Sequence, residues 1–152
     1  MIDISPFVLF FILIREVTMA KLDNIIFCLN ASNVEGQGAS AHNILHALNP
    51  EYVPGLFTFS VIISILDMDP SENHVIEIVF SDPNGNVIVN INSALPIIEN
   101  VESNLPSEYT GFDLSMNWAN VNFVCSGVYT LRIKMDAEDL GEKSIFVKGK
   151  NQ

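Results

Sequence analysis

Between Leu22 and Leu131 the chain contains no lysine and no arginine, against twelve aspartates and glutamates. A protein that grips a phosphate backbone needs cations to replace the counterions it displaces. The interior of the chain therefore argues against direct nucleic-acid binding. Only a short C-terminal stretch, with Arg132, Lys134, Lys143, Lys148 and Lys150, supplies five of the seven basic residues. The net charge of −11 leaves open mimicry of a nucleic acid by an acidic surface.

Cysteine is scarce as well. Cys28 and Cys125 are the two present, and they have no metal-ligand spacing. Cys28 lies in an apolar run and reads as a small core residue, whereas Cys125 sits beside Ser126 and Gly127 in a loop. A disulfide between them is conceivable, but nothing points to an oxidising compartment. No glycine-rich phosphate loop follows a strand, and no serine or cysteine stands in a nucleophile elbow. Gly36-Gln37-Gly38 is too short to count.

Long apolar runs are also missing. The nine residues 6–14 are apolar but too few to span a bilayer. They resemble the core of a signal peptide, yet no positive segment precedes them and no small-residue cleavage site follows. Arg15-Glu16-Val17-Thr18, ahead of Met19, can be encoded by a purine-rich ribosome-binding sequence just upstream of a start codon. Translation is therefore expected to begin at Met19, with residues 1–18 read in frame upstream; the alternative is a genuine extra apolar segment. Residues 19–152 form the domain. If residues 6–14 are present, their exposed leucines and phenylalanines need cover from another chain or a membrane.

What is there is a fold. With 152 residues, 49% hydrophobic and 16% charged, the chain is long enough for one core and too apolar to be disordered. Leu56–Leu66 is its centre: Phe57, Phe59, Val61, Ile63 and Ile65 fall on one face of an extended strand, with Thr58, Ser60 and Ser64 on the other. A register slip of one residue would turn all five outward. Before it, Leu22–Leu29 reads as a strand with Ile25, Phe27 and Leu29 on one face. Ile26 and Cys28 on the other face suggest cover on both sides. Asn30–Ala41 reads as a loop, and His42–Leu48 as a strand or single turn.

Further along, Val75–Phe80 and Val87–Ile91 read as a hairpin around Asp82-Pro83-Asn84-Gly85. Asn92–Gly111 is long enough to cross from one sheet to another. Phe112, Leu114, Met116 and Trp118 alternate with polar residues, and the phase then shifts to Val121 and Phe123, which predicts a bulge near Ala119–Asn120. Tyr129, Leu131, Ile133 and Met135 point inward on the next strand. A turn at Asp136–Asp139 leads to a last strand, Leu140–Val147. The expected fold is all-β, an Ig-like Greek-key β-sandwich of seven to nine strands.

Candidate chemistry is thin. His42 and His46 share one face only if a helix forms, and they lack a third ligand; ordinary surface histidines are expected. His74 begins a strand with no evident partner. Asp67, Asp69 and Glu72, with Asn73, put several oxygen ligands in one loop, the material of a calcium site, though not at the spacing of a helical calcium loop. If consecutive strands are antiparallel, the loops at 67–73, 92–111 and 136–139 share one end. That end is then an acidic pole, available to cations or to a basic partner, or simply solvated.

Several segments resemble a family of short bacterial proteins of unknown function. They are Met19-Ala20-Lys21-Leu22-Asp23-Asn24, Pro50 with Pro54-Gly55, Asp82-Pro83-Asn84-Gly85, Gly127-Val128-Tyr129 and Leu140-Gly141-Glu142. The resemblance covers nearly all of residues 19–152 and implies a cytoplasmic β-sandwich, with no catalytic residues to transfer. The expected function is a non-catalytic cytoplasmic binding or assembly module with a protein partner and no cofactor. The alternatives are a calcium-dependent module using Asp67, Asp69 and Glu72, or an uncharacterised hydrolase. Arg132, Lys134 and Lys143 are the expected partner-binding residues, and the chain is expected to be a monomer or a weak, salt-sensitive oligomer.

Overall fold

The computed structural model describes residues 20–34, 38–98 and 104–151. The readings of residues 1–18 and of a start at Met19 lie outside them. The chain order is β1 (Lys21–Val34), β2 (Gly38–Ile44), β3 (Ala47–Leu48), β4 (Gly55–Leu66), β5 (Val75–Ser81), β6 (Val87–Ala94), a 3-10 turn at Ser107–Tyr109, β7 (Gly111–Phe123), β8 (Gly127–Met135) and β9 (Glu138–Val147). The strands form a sheet of order β2-β1-β4-β7 stacked on one of order β3-β9-β8-β5-β6. This is the expected Ig-like sandwich.

The alternation of β4 decides the packing. Phe59, Val61, Ile63 and Ile65 are fully buried between the sheets, and Phe57 is half-buried against them. Beside them in the same sheet stand Ile25 and Phe27 of β1, and opposite them, from the other sheet, Ile76, Ile78 and Phe80 of β5 and Tyr129, Leu131, Ile133 and Met135 of β8. Phe59 is the hub of an aromatic group, with ring centroids 5.5 Å from Trp118, 6.0 Å from Phe80 and 6.0 Å from Phe123. The bulge in β7 falls where the phase shift places it, with Phe57 opposite Val121 and Phe59 opposite Trp118. Asn120 there takes a left-handed φ of 53°, and its N–H donates to Thr58 Oγ1 at 3.0 Å.

One hairpin turn and one corner between the sheets are fixed by side-chain bonds. Asp82 is buried, and its carboxylate accepts the N–H groups of Asn84 and Asn86 at 2.9 and 2.8 Å, while Gly85 supplies a φ of 85°. Burial alone would push the Asp82 pKa up, but the bonds from Asn86, Asn84 and Gly85 hold it below the usual value. At the start of β8, Tyr129 donates its hydroxyl to the carbonyl of Cys125, four residues back, at 2.7 Å. This is the corner by which a sandwich ties a loop to a core strand. Burial, with the Cys125 thiol beside it, pushes the Tyr129 pKa up to about 12.

The segment Asn30–Ala41 is not a loop. Strand β1 continues to Val34 and β2 returns from Gly38, with Asn30 opposite His42 and Ala31 opposite Ala41. β1 pairs with β4 only as far as Cys28, which faces Ser60. Beyond that point the hairpin leaves the sheet. Asn33 would lie about seven residues, roughly 20 Å, past the level of Ser115 in a flat sheet. Instead Ser115 Oγ donates to Asn33 Oδ1 at 2.9 Å, and a Cβ on Gly38 would lie 3.8 Å from Asp113 Oδ2. The hairpin has folded back across the outer face of its own sheet.

That fold-back explains two departures from the simple alternation. Leu29, expected inward, is 43% exposed because its strand has already left the sandwich. Cys28 and Ile62, on the outer face, are buried at 0% and 4% with Ile26 under Ala31, Ala39 and Ala41 of the hairpin. Small residues let the two backbones approach closely. Burial pushes the Cys28 thiol pKa up, against bonds from His42 and Asn30 that lower it. Both cysteines are free.

A substitution on the nominally external face tests this second layer. Ile62→Ala is expected to cost about 2–4 kcal/mol in urea unfolding, as a core truncation does. A loss below about 0.5 kcal/mol would mean that the outer face is solvated and the hairpin is not packed on it.

Candidate functional site

Strand alternation brings the three acidic loops to one end, and the structure joins them there. Met68 N–H donates to Thr110 O at 3.3 Å, Ile98 N–H to Pro70 O at 2.9 Å, and Leu95 N–H to His74 O at 2.8 Å. The turn between β8 and β9 is two residues, Asp136 and Ala137, with left-handed φ values of 50° and 67°, shorter than Asp136–Asp139. Its Asp136 returns to β5: the backbone N–H donates to Val75 O at 2.9 Å, and Oδ1 accepts the Val75 N–H at 2.9 Å.

His74, which has no evident partner in the sequence, is the keystone of this end. Its Nδ1 lies 2.7 Å from Asp136 Oδ2 and its Nε2 lies 2.9 Å from the carbonyl oxygen of Asp69. A carboxylate and a carbonyl both only accept, so the imidazolium, with two N–H donors, is the form that satisfies both contacts. Burial pulls the His74 pKa down, but the bonds to Asp136 and Asp69, with Glu72 nearby, outweigh it and the net shift is upward. A His–carboxylate pair could serve a hydrolase. Here both ring nitrogens are engaged, and Ser71 Oγ donates to Asp69 Oδ1 at 2.6 Å and not to His74.

The proposed calcium ligands do not converge. Asp67 occupies a left-handed position at φ 58°, and the Asp69 carboxylate accepts the hydroxyl and N–H of Ser71. Those two bonds hold the Asp69 pKa below its usual value. Among the described residues no three His, Cys, Asp or Glu side chains group as a metal cage. His42 lies on β2 and His46 in the bend before β3, both exposed and on no helix.

The basic residues do not form one face either. Arg132 is held by Glu142, Nη2 to Oε2 at 2.8 Å, and by Asp139 at 3.7 Å. Such exposed pairs contribute about 0–1 kcal/mol, but they cancel the local charge. Lys134 stands between Glu77 of β5 and Asp139 of β9. Lys143 lies opposite the inward-facing Leu131, and its Nζ donates to Ile25 O of the other sheet at 2.5 Å. It therefore faces away from Arg132, with which it was expected to share a surface.

A different surface is open. Among the described residues β6 and β7 each pair on one side only, and they line the same flank of the sandwich. Their inward residues, Ile88, Val89 and Ile91 of β6 and Phe112, Leu114 and Met116 of β7, are only half-buried. At the end away from the acidic loops, a groove of about 480 Å³ runs between the two strands, lined by Ile88, Val89, Val121 and Val124 among others. On the opposite flank the chain passes from β2 in one sheet to β3 in the other, whereas on this flank it passes from β6 to β7 at the acidic end, away from the groove.

The His74 contacts set a pH dependence. With its folded pKa raised above the ordinary 6.5, His74 contributes stability that is complete below about pH 6.5 and is lost as pH rises through the folded value. In urea unfolding from about pH 5.5 to 9, wild type should exceed His74→Gln most at the acidic end, and the gap should shrink toward the alkaline end. A gap that is constant or widens with pH would contradict the doubly bonded imidazolium.

Comparison with known proteins adds little on function. No curated protein matches the chain. An immunoglobulin-like protein from Pseudomonas aeruginosa superposes with a TM-score of 0.47 at 11% identity, over 87% of this chain and 98% of that one. The alkylpurine DNA glycosylase AlkC of Pseudomonas fluorescens, bound to DNA containing an abasic site analogue, superposes with a TM-score of 0.45 at 7% identity, over 90% of this chain and 33% of that one. A family model of unknown function matches residues 24–148. The chain belongs to that family, DUF6941.

Proposed function

We propose that the chain is a non-catalytic binding or assembly module of the bacterial cytoplasm, acting through an exposed sheet flank. The observation that carries this reading is the pair of unpaired strand edges, β6 and β7, side by side over half-buried apolar residues. Proteins normally protect such edges with lysine, proline or a covering element, because a free edge is a template for another strand. β6, Val87–Ala94, carries no charge and no proline, and β7 carries one charge, Asp113. Edges left bare in this way suit recognition of an extended segment.

The reaction machinery at the acidic end favours the same reading. The His74–Asp136 pair is spent on joining loops, and its bonds leave no ring nitrogen to take a proton from a nucleophile.

Cross-linking of the full chain in its native host, read by mass spectrometry, tests the module directly. A single protein partner recovered in near-stoichiometric amount is the expected result. A chain that cross-links to nothing, or only to itself, would overturn the reading. A thermal melt separates the calcium alternative: millimolar calcium is expected to leave the melting temperature unchanged, whereas a rise would move the function to the acidic end.

A further inference from the structure

We propose that the β6–β7 flank takes an extended segment of a partner protein, apolar where it meets the groove and cationic toward the acidic end. This rests on the module reading and names the occupant of its surface. The geometry supplies the apolar half. Ile88 and Val89 from β6, and Ala119, Val121 and Val124 with Asn120 and Asn122 from the β7 side, line a groove of about 480 Å³ that is mostly apolar. An inserted strand can bond to the free backbone of either edge and lay alternate side chains between them. Val124 is 49% exposed, so the groove is accessible from solvent.

The charge distribution supplies the other half. β4, β5, β6 and β7, and every connection between them, contain no lysine or arginine. β6 runs from the groove toward the acidic loops and β7 starts beside them, since Leu95 bonds to His74 and Met68 to Thr110. An extended segment of about ten residues covers roughly 30 Å and reaches from one end of the flank to the other. Its far part approaches the start of β7, where the Met68 N–H bond to Thr110 O joins the segments that carry Asp67 and Glu108, and neither β6 nor β7 carries a cation. A second copy of the chain is the poorer occupant, because each copy carries −11 and like charges oppose close association.

Trp118, the sole tryptophan, reports on the site. It immediately precedes the groove-lining run 119–122, packs edge-on against Phe59, and its Nε1 finds no acceptor among the described residues. Filling the groove changes the surroundings of this indole without requiring the core to open.

The test uses the full chain and two capped peptides of about ten residues, valine alternating with threonine in one half and lysine in the other, or glutamate in place of lysine. The lysine peptide is expected to bind saturably, to shift Trp118 emission, to perturb NMR resonances of β6 and β7, and to weaken with salt. The glutamate peptide is expected not to bind. Val124→Lys, at an exposed wall position where folding is checked by its melt, is expected to weaken the lysine peptide about tenfold or more.

Equal binding of both peptides, perturbation confined to another surface, or no saturable binding would each overturn the proposal. So would a tight, salt-insensitive dimer contacting through β6 and β7. Perturbation at another surface would remove the flank as the docking site but leave a binding module, whose existence the native-host cross-linking tests separately.

Discussion

Burial of β4 on both of its faces is the constraint from which the rest of the architecture follows. Inward, Phe59, Val61, Ile63 and Ile65 hold the two sheets together, and each fully buried side chain of this size is worth about 1.5–3 kcal/mol. Outward, Ile62 and Ser60 are almost as deeply covered, by the β1–β2 hairpin that doubles back over the sheet. Ser60 Oγ is bonded to Asn117 Oδ1 of β7, so the polar member of that face is satisfied. A one-residue slip of β4 would exchange the two faces and lose both layers at once. The register is therefore set from two sides, which leaves the outlying strands free to differ in how well they are covered.

Chain connectivity turns that freedom into an asymmetry. On one flank the chain crosses between sheets from β2 to β3, with Leu45 N–H donating to Phe27 O on the way. The other flank has two edge strands whose inward apolar residues are half in water, and the chain passes between the sheets there from β6 to β7, at the acidic end. At the acidic end a positively charged imidazole stitches the 67–73 loop to the β8–β9 turn. There a carboxylate that would otherwise repel its neighbours becomes a hydrogen-bond acceptor for His74 and Val75. Acidic loops are thus gathered by one histidine and several backbone bonds.

Much of this was legible in the sequence. Period-two alternation located β4, β8 and the first half of β7. The Asp82-Pro83-Asn84-Gly85 turn located the β5–β6 hairpin, and the phase change after Trp118 located the bulge, because each signal is local. The fold-back was not legible. Asn, Ser, Gly and Ala in residues 30–41 read as loop by propensity, whereas tertiary contact with Ile26, Cys28 and Ile62 keeps them extended. His74 was missed for a related reason. The alternation argument had already placed its loop beside Asp136, but a contact across 62 residues has no local signature. The face of Lys143 depends on the register of β9 against β8, which is shifted beside Ile133 and Lys134. The bare flank has only an ambiguous signal, the missing charge in Val87–Ala94, because absence of charge also describes a core strand.

Native-state amide hydrogen exchange of the isolated chain tests the central claim, that one flank of a doubly buried sandwich is left open. Amides of β1 before Cys28, of β4 and of β8 should exchange only through global unfolding. Those on the unpaired edges of β6 and β7 should exchange many-fold faster, through local access alone. Protection of the β6 and β7 edges equal to that of β4 would show that the flank is already covered, and would contradict the account.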